Sequence, residues 1–309
     1  MLIKHLKVKI KILKIQLFPN QKVLPSGEDL GGAIMLKKIL SVFVLFALLQ
    51  PAKIHAQWYK NVLKKADEIN LLTVEQEIEL GKKVKTEIES DPKKYPLLAE
   101  GGNEQAYSYV RAITQKILNT NKVANRTKFA WEVKIIKDDK TLNAFCTPGG
   151  YIYVYTGLIK FLDSEDQLAG VMGHEIAHAA QRHTGRSITK AYGLDVVLNM
   201  LIRDSKSQNV QMIKQITEGV VGLRFSRAHE TEADEYSVTY LCGTGYNAAG
   251  AAGFFKKMQG KGGSPPEFMS THPDPKNRVK DIEARARTLG CAGNDTNSQE
   301  YARIKALLN

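Results

Sequence analysis

The stretch SEDQLAGVMGHEIAHAAQRH, residues 164–183, decides how the rest of the chain is interpreted. Ser164 and Gln167 form an S-x-x-Q capping pattern, which predicts a helix that begins there and continues to about the end of the stretch. The helix is apolar on nearly every side, so we expect it to be buried. His174 and His178 are four residues apart, and this spacing places both imidazoles on one face, where they can hold a single metal ion.

Burial of this HExxH motif favours a metal site over an ordinary hydrophobic core. The two histidines and the carboxylate of Glu175 would destabilise the fold by several kcal/mol if they were buried without partners. Zinc would supply the partner, whereas the alternative is a set of core histidines satisfied by other protein groups. Glu175 lies beside the histidines, where a carboxylate can take the proton of an activated water.

The motif supplies two of the three protein ligands that a catalytic zinc site usually has. A metzincin would have glycine at position 181 and histidine at position 184, but the chain has Gln181 and Thr184. His183 follows His178 by five residues and falls on a different helix face, so we interpret it as a solvated helix end. The third ligand must therefore come from another segment.

The segment SRAHETEADE, residues 226–235, contains the next acidic cluster. Glu230 and Asp234 are i, i+4 neighbours, so one of them can bind zinc while the other orients a ligand histidine. Taken alone, such a cluster is more typical of a solvated helix face. The absence of a third ligand from the HExxH segment favours the metal-binding interpretation.

The rest of the chain predicts a mixture of helices and strands. Phe129–Ile136 and Tyr151–Tyr155 are rich in β-branched and aromatic residues and predict strands, with a turn at Pro148–Gly150. Residues 57–309 show no internal repeat and no linker, so we predict one α+β domain, mostly helical with a small β-sheet. Further helical or apolar-periodic stretches are predicted at Thr73–Ser90, which opens with a Thr73-x-x-Gln76 capping box, and at Asn103–Leu118, Val196–Ile202, Val210–Leu223, Ala228–Cys242, Asn247–Met258 and from Asp274-Pro275 onward.

The formal net charge of +12 is concentrated near the N-terminus of the 309-residue chain. Residues 1–56 carry nine lysines and two acids, which leaves a surplus of only five basic groups on the other 253 residues. Such a modest charge favours solubility, and nucleic-acid binding is not expected. The hydrophobic content of 43% excludes a disordered chain and is typical of a globular domain.

The segment MLKKILSVFVLFALLQPAKIHAQW, which starts at Met35, has the pattern of a secretory signal peptide. A basic start precedes the apolar run Ile39–Leu49, and a small residue, Ala56, precedes the expected cleavage site. The alternative is a membrane anchor, but the run is shorter than the roughly 20 residues that span a bilayer. We predict a signal peptide at 35–56, an upstream extension at 1–34 that reflects a mis-assigned start, and a mature domain at 57–309.

Export would place the three cysteines in an oxidising compartment, where disulfides form. Cys242 and Cys291 lie in similar glycine-flanked sequences, LCGTG and LGCAG, so we predict that they pair. Cys146 would then be an unpaired, buried thiol. No cysteine lies near the predicted cleavage site, so a lipid anchor there is excluded, and the chain is expected in the periplasm or the medium.

Four ordered blocks between about 140 and 280 resemble a known family. They are Asn143–Phe145 with Pro148–Val154, Gly173–His178, Ser226–Asp234, and Ser270–Pro273 with Arg278. Together they are similar to the CAAX prenyl protease and HtpX-like family of zinc metallopeptidases, within the gluzincin group, and most similar to its soluble, exported quality-control type. The resemblance implies a zincin-type fold whose sheet has an edge strand that lines the active-site cleft.

The resemblance also implies a role for each residue of the site. One zinc ion per chain would be bound by His174, His178 and Glu230, with Glu175 as the catalytic base and Asp234 behind a ligand. His272 is implied as a further catalytic residue that assists the oxyanion, and in some relatives this histidine reaches the metal and latches the site closed. Asn143, Ala144 and Gly150 would belong to the edge strand that pairs with an extended substrate.

These assignments predict a zinc metalloendopeptidase that acts on unfolded or misassembled cell-envelope proteins. Peripheral contact with the membrane or with outer-membrane assembly machinery is a further expectation, and the oligomeric state is not specified. One alternative is a latched, chaperone-like zinc-binding protein with little turnover. A second is a membrane-associated interaction protein that uses the apolar region 195–223.

Overall fold

Helices dominate the fold. The computed structural model describes residues 70–202, 207–259, 267–273, 277–291, 293 and 296–308. The predicted extension 1–34, the signal peptide 35–56 and the helix start at Asp274-Pro275 therefore lie outside the described residues. In chain order the elements are α1 Val74–Ser90, α2 Glu104–Leu118, β1 Glu132–Ile136, β2 Ala144–Thr147, β3 Tyr151–Tyr155, α3 Thr156–Phe161, α4 Glu165–Ala180, α5 His183–Tyr192, α6 Leu194–Ile202, α7 Ser207–Val221, α8 Arg227–Leu241, α9 Gly250–Gln259, α10 Glu267–Thr271, α11 Arg278–Thr288 and α12 Ser298–Leu307.

Helix α4 carries the HExxH motif and ends earlier than the sequence predicts. Its N-cap is Ser164, but the Ser164 hydroxyl donates to Asp166 and makes no capping hydrogen bond. The helix stops at Ala180 because Arg182 adopts a left-handed backbone conformation, with φ at 62°. The Arg182 guanidinium lies 3.0 Å from the buried carboxylate of Glu77 in α1, and this ion pair holds the turn in place.

Small residues allow neighbouring helices to approach α4 closely. A Cβ added at Gly170 would lie 2.1 Å from the backbone nitrogen of Ala251 in α9, so only glycine fits there. On the α8 side, the Ser237 hydroxyl donates to the Gly170 carbonyl at 2.8 Å. Met172 and Ile176 fill the core around these contacts, and burying each such side chain stabilises the fold by about 1.5–3 kcal/mol. The motif is therefore held on a helix in which every residue except Gln167 is buried.

The three strands form one sheet in the order β1-β3-β2. The central strand β3 is parallel to β1 and antiparallel to β2. Gly149 and Gly150 form the β2–β3 turn with φ angles of 78° and 86°, which glycine adopts without strain. β2 is thus an edge strand of the described sheet, and it packs against α4. The predicted fold class, a mostly helical α+β domain with a small sheet, is confirmed.

The local patterns at the start of the domain hold with small shifts. In the α1 capping box, the Thr73 hydroxyl accepts from the Gln76 backbone N–H at 3.2 Å, and the Gln76 side chain accepts from the Thr73 N–H at 2.8 Å. Strand β1 begins at Glu132 rather than Phe129, because Trp131 has a positive φ of 49° that interrupts the extended backbone. The sequence pattern therefore predicted the elements well and their ends less well.

Most of the apolar region 195–223, on which the membrane-associated alternative depends, forms helices α6 and α7. Val197 of α6 and Ile216 and Val220 of α7 are buried in the same cluster as apolar residues of α1 and the sheet. No helix in the described ranges is long and apolar enough to cross a membrane. The buried apolar positions of this pair are thus accounted for by packing inside the domain.

The predicted disulfide is present. Cys242, the C-cap of α8, is bonded to Cys291, which lies just after α11 and 49 residues further along the chain. Loop-closure entropy for a link of this separation contributes roughly 4 kcal/mol to stability. Cys146 is a free, buried thiol, as predicted, and burial raises its pKa well above the ordinary value. A thiol of this kind is inert in redox and nucleophilic chemistry.

Candidate metal centre

Four side chains from three parts of the chain converge at the centre of the domain. His174 and His178 come from α4, Glu230 comes from the first turn of α8, and His272 directly follows α10. One donor atom from each lies within 4.8 Å of the others, and all four side chains are at most 1% exposed. The HExxH spacing and the glutamate on a second helix thus meet as the sequence predicts, and His272 joins them.

The distances show that the donor atoms face one another. The two imidazole Nε2 atoms of His174 and His178 are 3.0 Å apart. Nδ1 of His272 lies 3.3 Å from Nε2 of His174 and 3.1 Å from Oε1 of Glu230. Oε1 of Glu230 is also 3.4 Å from Nε2 of His178. Lone pairs that converge in this way in a buried space create a site for a cation.

The donor set fits zinc. Imidazole nitrogen and carboxylate oxygen are its usual ligands, and three such groups with a further position are typical of catalytic zinc sites. A second observation agrees with this assignment, since Oε1 of buried Glu175 accepts no hydrogen bond within the described residues. A buried carboxylate oxygen without a hydrogen bond usually has a functional explanation, and here it lies beside the candidate metal site. The cluster could therefore hold one zinc ion per chain, and it contains His174, His178 and Glu230, the three ligands that the sequence predicts.

Electrostatics prepare the cluster to bind a cation. Burial alone would raise the pKa of Glu230, but the neighbouring His272, His174 and His178 outweigh it and hold this pKa well below the ordinary value. Burial lowers the pKa of His178 well below its ordinary value, which keeps its lone pair available. The Glu230 carboxylate is therefore ionised and the His178 imidazole neutral, which are the forms that bind a metal.

Asp234 contacts His174 on the side away from the donor cluster, which is where the sequence predicts a residue that orients a ligand. Its Oδ1 atom is 2.9 Å from Nδ1 of His174, and this contact together with Glu230 raises the pKa of His174 to about 9 against the opposing effect of burial. The arrangement fixes the ring so that Nε2 faces the cluster centre.

Arg278 holds the two carboxylates of α8 from the other side. Its guanidinium Nη2 is 3.0 Å from Oε2 of Glu230 and 2.8 Å from Oδ1 of Asp234, while Nε is 2.7 Å from Oδ2 of Asp234. The side chain is fully buried at the first position of α11. The sequence marks Arg278 only as part of a motif, because a contact between α8 and α11 cannot be deduced from spacing.

Glu175 points to the same space as the four donors but is not one of them. Its Oε1 atom is 3.4 Å from Nε2 of His272, and burial raises its pKa above the ordinary value despite the nearby His272 and His174. A buried carboxylate with a raised pKa beside a candidate metal site is a typical general base or acid.

The predicted substrate-binding residues lie at two ends of one hairpin. Ala144 is the first residue of edge strand β2, and Asn143 precedes it, with its side chain accepting from the Ala144 N–H at 2.9 Å. Gly150 lies in the β2–β3 turn instead of on the strand. On the outer side of β2, the Thr184 hydroxyl donates to the Cys146 carbonyl at 3.5 Å. The role of these residues in binding substrate stays a prediction.

His183 is buried, so its interpretation as a solvated helix end is wrong. The left-handed turn at Arg182 starts the new helix α5 at His183 and directs this side chain inward. Its Nδ1 atom is 3.0 Å from Nδ1 of His178, and its Nε2 atom is 3.0 Å from Oε2 of Glu232. Sequence reasoning missed this because it assumed a continuous helix through residues 181–183.

A buried HExxH helix, a glutamate from a second helix and a small sheet beside them define a zinc metalloprotease domain. Comparison with known proteins agrees. The model of "Peptidase family M48" matches residues 104–286, and the chain belongs to this family. The match supports the zinc metallopeptidase predicted from the four sequence blocks. It does not distinguish the more specific types within the family.

Curated relatives in mitochondria and bacteria share this domain. The chain is 34% identical over 152 residues to the mitochondrial metalloendopeptidase OMA1 of Arabidopsis thaliana, which covers 49% of this chain and 30% of that protein. It is 32% identical over 180 residues to the Schizosaccharomyces pombe OMA1, with 57% and 51% covered. It is 29% identical over 194 residues to the beta-barrel assembly-enhancing protease of Escherichia coli, with 59% and 39% covered. The matches thus span about half or less of the length of these relatives.

Proposed function

We propose that the chain is a zinc-dependent endopeptidase that hydrolyses peptide bonds with Glu175 as general base. The observation that carries this proposal is Oε1 of the buried Glu175 carboxylate, which accepts no hydrogen bond within the described residues and lies 3.4 Å from Nε2 of His272, a member of the donor cluster. The metalloendopeptidase names of the relatives support the same activity.

The residues divide the chemistry between binding and proton transfer. His174, His178 and Glu230 would hold zinc, which supplies a Lewis acid that polarises the scissile carbonyl and lowers the pKa of water. Glu175 takes the proton of the attacking water on its free carboxylate oxygen and later delivers it to the leaving amine. Asp234 and Arg278 keep the ligands in place by the hydrogen bonds described above.

His272 regulates access to this site in our proposal. Three protein ligands leave one coordination position open for reaction, and His272 places a fourth donor atom at that position. The same geometry suits the alternative, a latched chaperone-like protein with little turnover. Family membership favours turnover, so we assign His272 to a closed state of a protease.

Unfolded or misassembled cell-envelope proteins are the substrates we propose. An extended segment that pairs with an edge strand is bound through its backbone, so such binding recognises an unfolded conformation more than a sequence. The name of the Escherichia coli relative refers to assembly of beta-barrels, which supports a substrate or partner of this kind, including peripheral contact with the membrane or with assembly machinery.

The cleavage experiment uses the full-length chain loaded with zinc and a model protein in two forms. We expect the reduced, denatured form to be cut at least about tenfold faster than the native form, since only the unfolded chain can pair along an edge strand. A chelator should abolish cleavage and added zinc should restore it. Cleavage that persists in chelator, or equal rates on both forms, would contradict the proposal.

Export of the chain is the second part of the proposal. The basic and apolar pattern of residues 35–56 and the disulfide between Cys242 and Cys291 both support an oxidising compartment outside the cytoplasm. We expect the protein recovered from cells to begin at Gln57 and to carry this disulfide, as measured by mass spectrometry of non-reduced peptides. Recovery of peptides from residues 1–34, or of reduced Cys242, would contradict it.

A further inference from the structure

The second ring nitrogen of His178 needs a partner. Its Nε2 atom faces the donor cluster, 3.0 Å from Nε2 of His174. A neutral imidazole that binds a metal through Nε2 carries its hydrogen on Nδ1, and ligand histidines donate that hydrogen to a fixed acceptor. For His174 the partner is the carboxylate of Asp234. For His178 the atom within reach is Nδ1 of His183, 3.0 Å away.

The tautomers along this path are determined once zinc is bound. Because His178 donates from Nδ1, His183 must accept at its own Nδ1 and therefore carries its hydrogen on Nε2. That Nε2 atom lies 3.0 Å from Oε2 of Glu232, a carboxylate that can only accept. Donors and acceptors thus alternate without conflict from His178 through His183 to Glu232.

We propose that His183 and Glu232 are positioning residues that set the tautomer and ring orientation of the zinc ligand His178. This inference rests on the proposed zinc site and extends it by one histidine and one carboxylate. Asp234 contacts His174 directly, whereas Glu232 reaches His178 only through the imidazole of His183.

The surroundings fix the intervening imidazole in this place. His183 is fully buried, and its ring stacks on His229 with centroids 4.3 Å apart and planes 6° from parallel. The ring of His178 stacks on Phe225 at 3.8 Å. Glu232 is partly exposed on α8, so its charge is solvated at the outer end of the path. Two packed rings and a solvated carboxylate form a rigid support behind the ligand.

The test measures zinc affinity of the full-length chain by competition with a chelator. His183→Leu removes the acceptor of His178 and should raise the zinc dissociation constant about 10–100-fold, the usual effect of losing a group behind a ligand. His183→Asn should recover most of the affinity, because its side-chain oxygen can accept near the original Nδ1 position. Equal affinities of His183→Leu and the unchanged chain would overturn the proposal.

Two matched controls separate positioning from packing. His229→Phe keeps the ring stacked on His183 but lies off the hydrogen-bonded path, so zinc affinity should stay within about twofold. Glu232→Ala should weaken zinc binding several-fold, whereas Glu235→Ala, an exposed glutamate of the same helix, should not. If His183→Leu does not fold, the comparison of Glu232→Ala with Glu235→Ala still tests the proposal. Equal zinc affinities of these two variants would overturn it.

A spectroscopic readout distinguishes this role from a structural one. In nitrogen-15 spectra of the zinc-loaded protein, we expect His178 to carry its hydrogen on Nδ1 and His183 to carry its hydrogen on Nε2. A hydrogen on Nδ1 of His183 would refute the path. Neither the zinc affinity nor the tautomer depends on peptide cleavage. If the unchanged chain binds zinc but never cuts peptides, and His183→Leu still weakens zinc binding, the proposed protease is rejected while this inference stands.

Discussion

Replacement of Glu175 by glutamine is expected to lower the rate of peptide cleavage by about 10²–10⁴-fold, the usual contribution of a general base. Glutamine has the same shape but cannot take a proton from water. Glu175 is not among the four donors of the cluster, so zinc affinity should be unchanged. The measurement is kcat/KM on a denatured protein at saturating zinc, with zinc content determined for each sample.

The matched control for this prediction is Glu235→Gln. Glu235 is an exposed glutamate on α8, and its replacement should leave both rate and zinc content as they are. If Glu175→Gln cuts as fast as the unchanged chain while holding zinc, Glu175 is not the base. If it loses zinc, Glu175 contributes to the metal site itself.

Replacement of His272 by alanine is expected to raise the rate on unfolded proteins by about tenfold. His272 Nδ1 lies 3.3 Å from Nε2 of His174 and 3.1 Å from Oε1 of Glu230, so in the proposed closed state a substrate must displace it before reaction. If only about one molecule in ten is open, the apparent activity is reduced by that fraction, and removing the closing group restores it. The measurement is the initial rate at saturating zinc, because loss of a fourth donor also weakens zinc binding.

The control for this variant is His229→Phe, since His229 is a nearby histidine outside the donor set and phenylalanine keeps a ring stacked on His183. Its rate should match the unchanged chain. A fall of about a hundredfold or more in His272→Ala would contradict closure and would assign His272 to stabilising the oxyanion instead. That outcome would leave the proposed roles of His174, His178 and Glu230 unchanged.

The parts of the site that were predictable are those set by helical periodicity. His174 and His178 share a face because α4 is regular through both, and the same rule brings Glu230 and Asp234 together on α8. The disulfide was also predictable, since similar glycine-flanked cysteines in a chain with the pattern of a signal peptide point to a pair. The helix pairs were predictable from residues four positions apart, and the disulfide from the residue type and its immediate neighbours.

Other parts depend on tertiary contacts that spacing does not encode. His183 turns inward because Arg182 leaves the helical conformation to reach Glu77, which lies 105 residues earlier. Arg278 meets Glu230 and Asp234 because α11 packs against α8. Both features depend on an ion pair between distant segments, and a single sequence gives no indication of such a pair.

Helices α8 and α11 are joined at both ends. Glu230 in the first turn of α8 meets Arg278 at the start of α11, while the disulfide joins Cys242 at the end of α8 to Cys291 just beyond the end of α11. At 1.5 Å per residue, the 12 residues from Glu230 to Cys242 separate these two links by roughly 18 Å. A helix pair tied at both ends cannot slide lengthwise, so Glu230 keeps its height relative to α11.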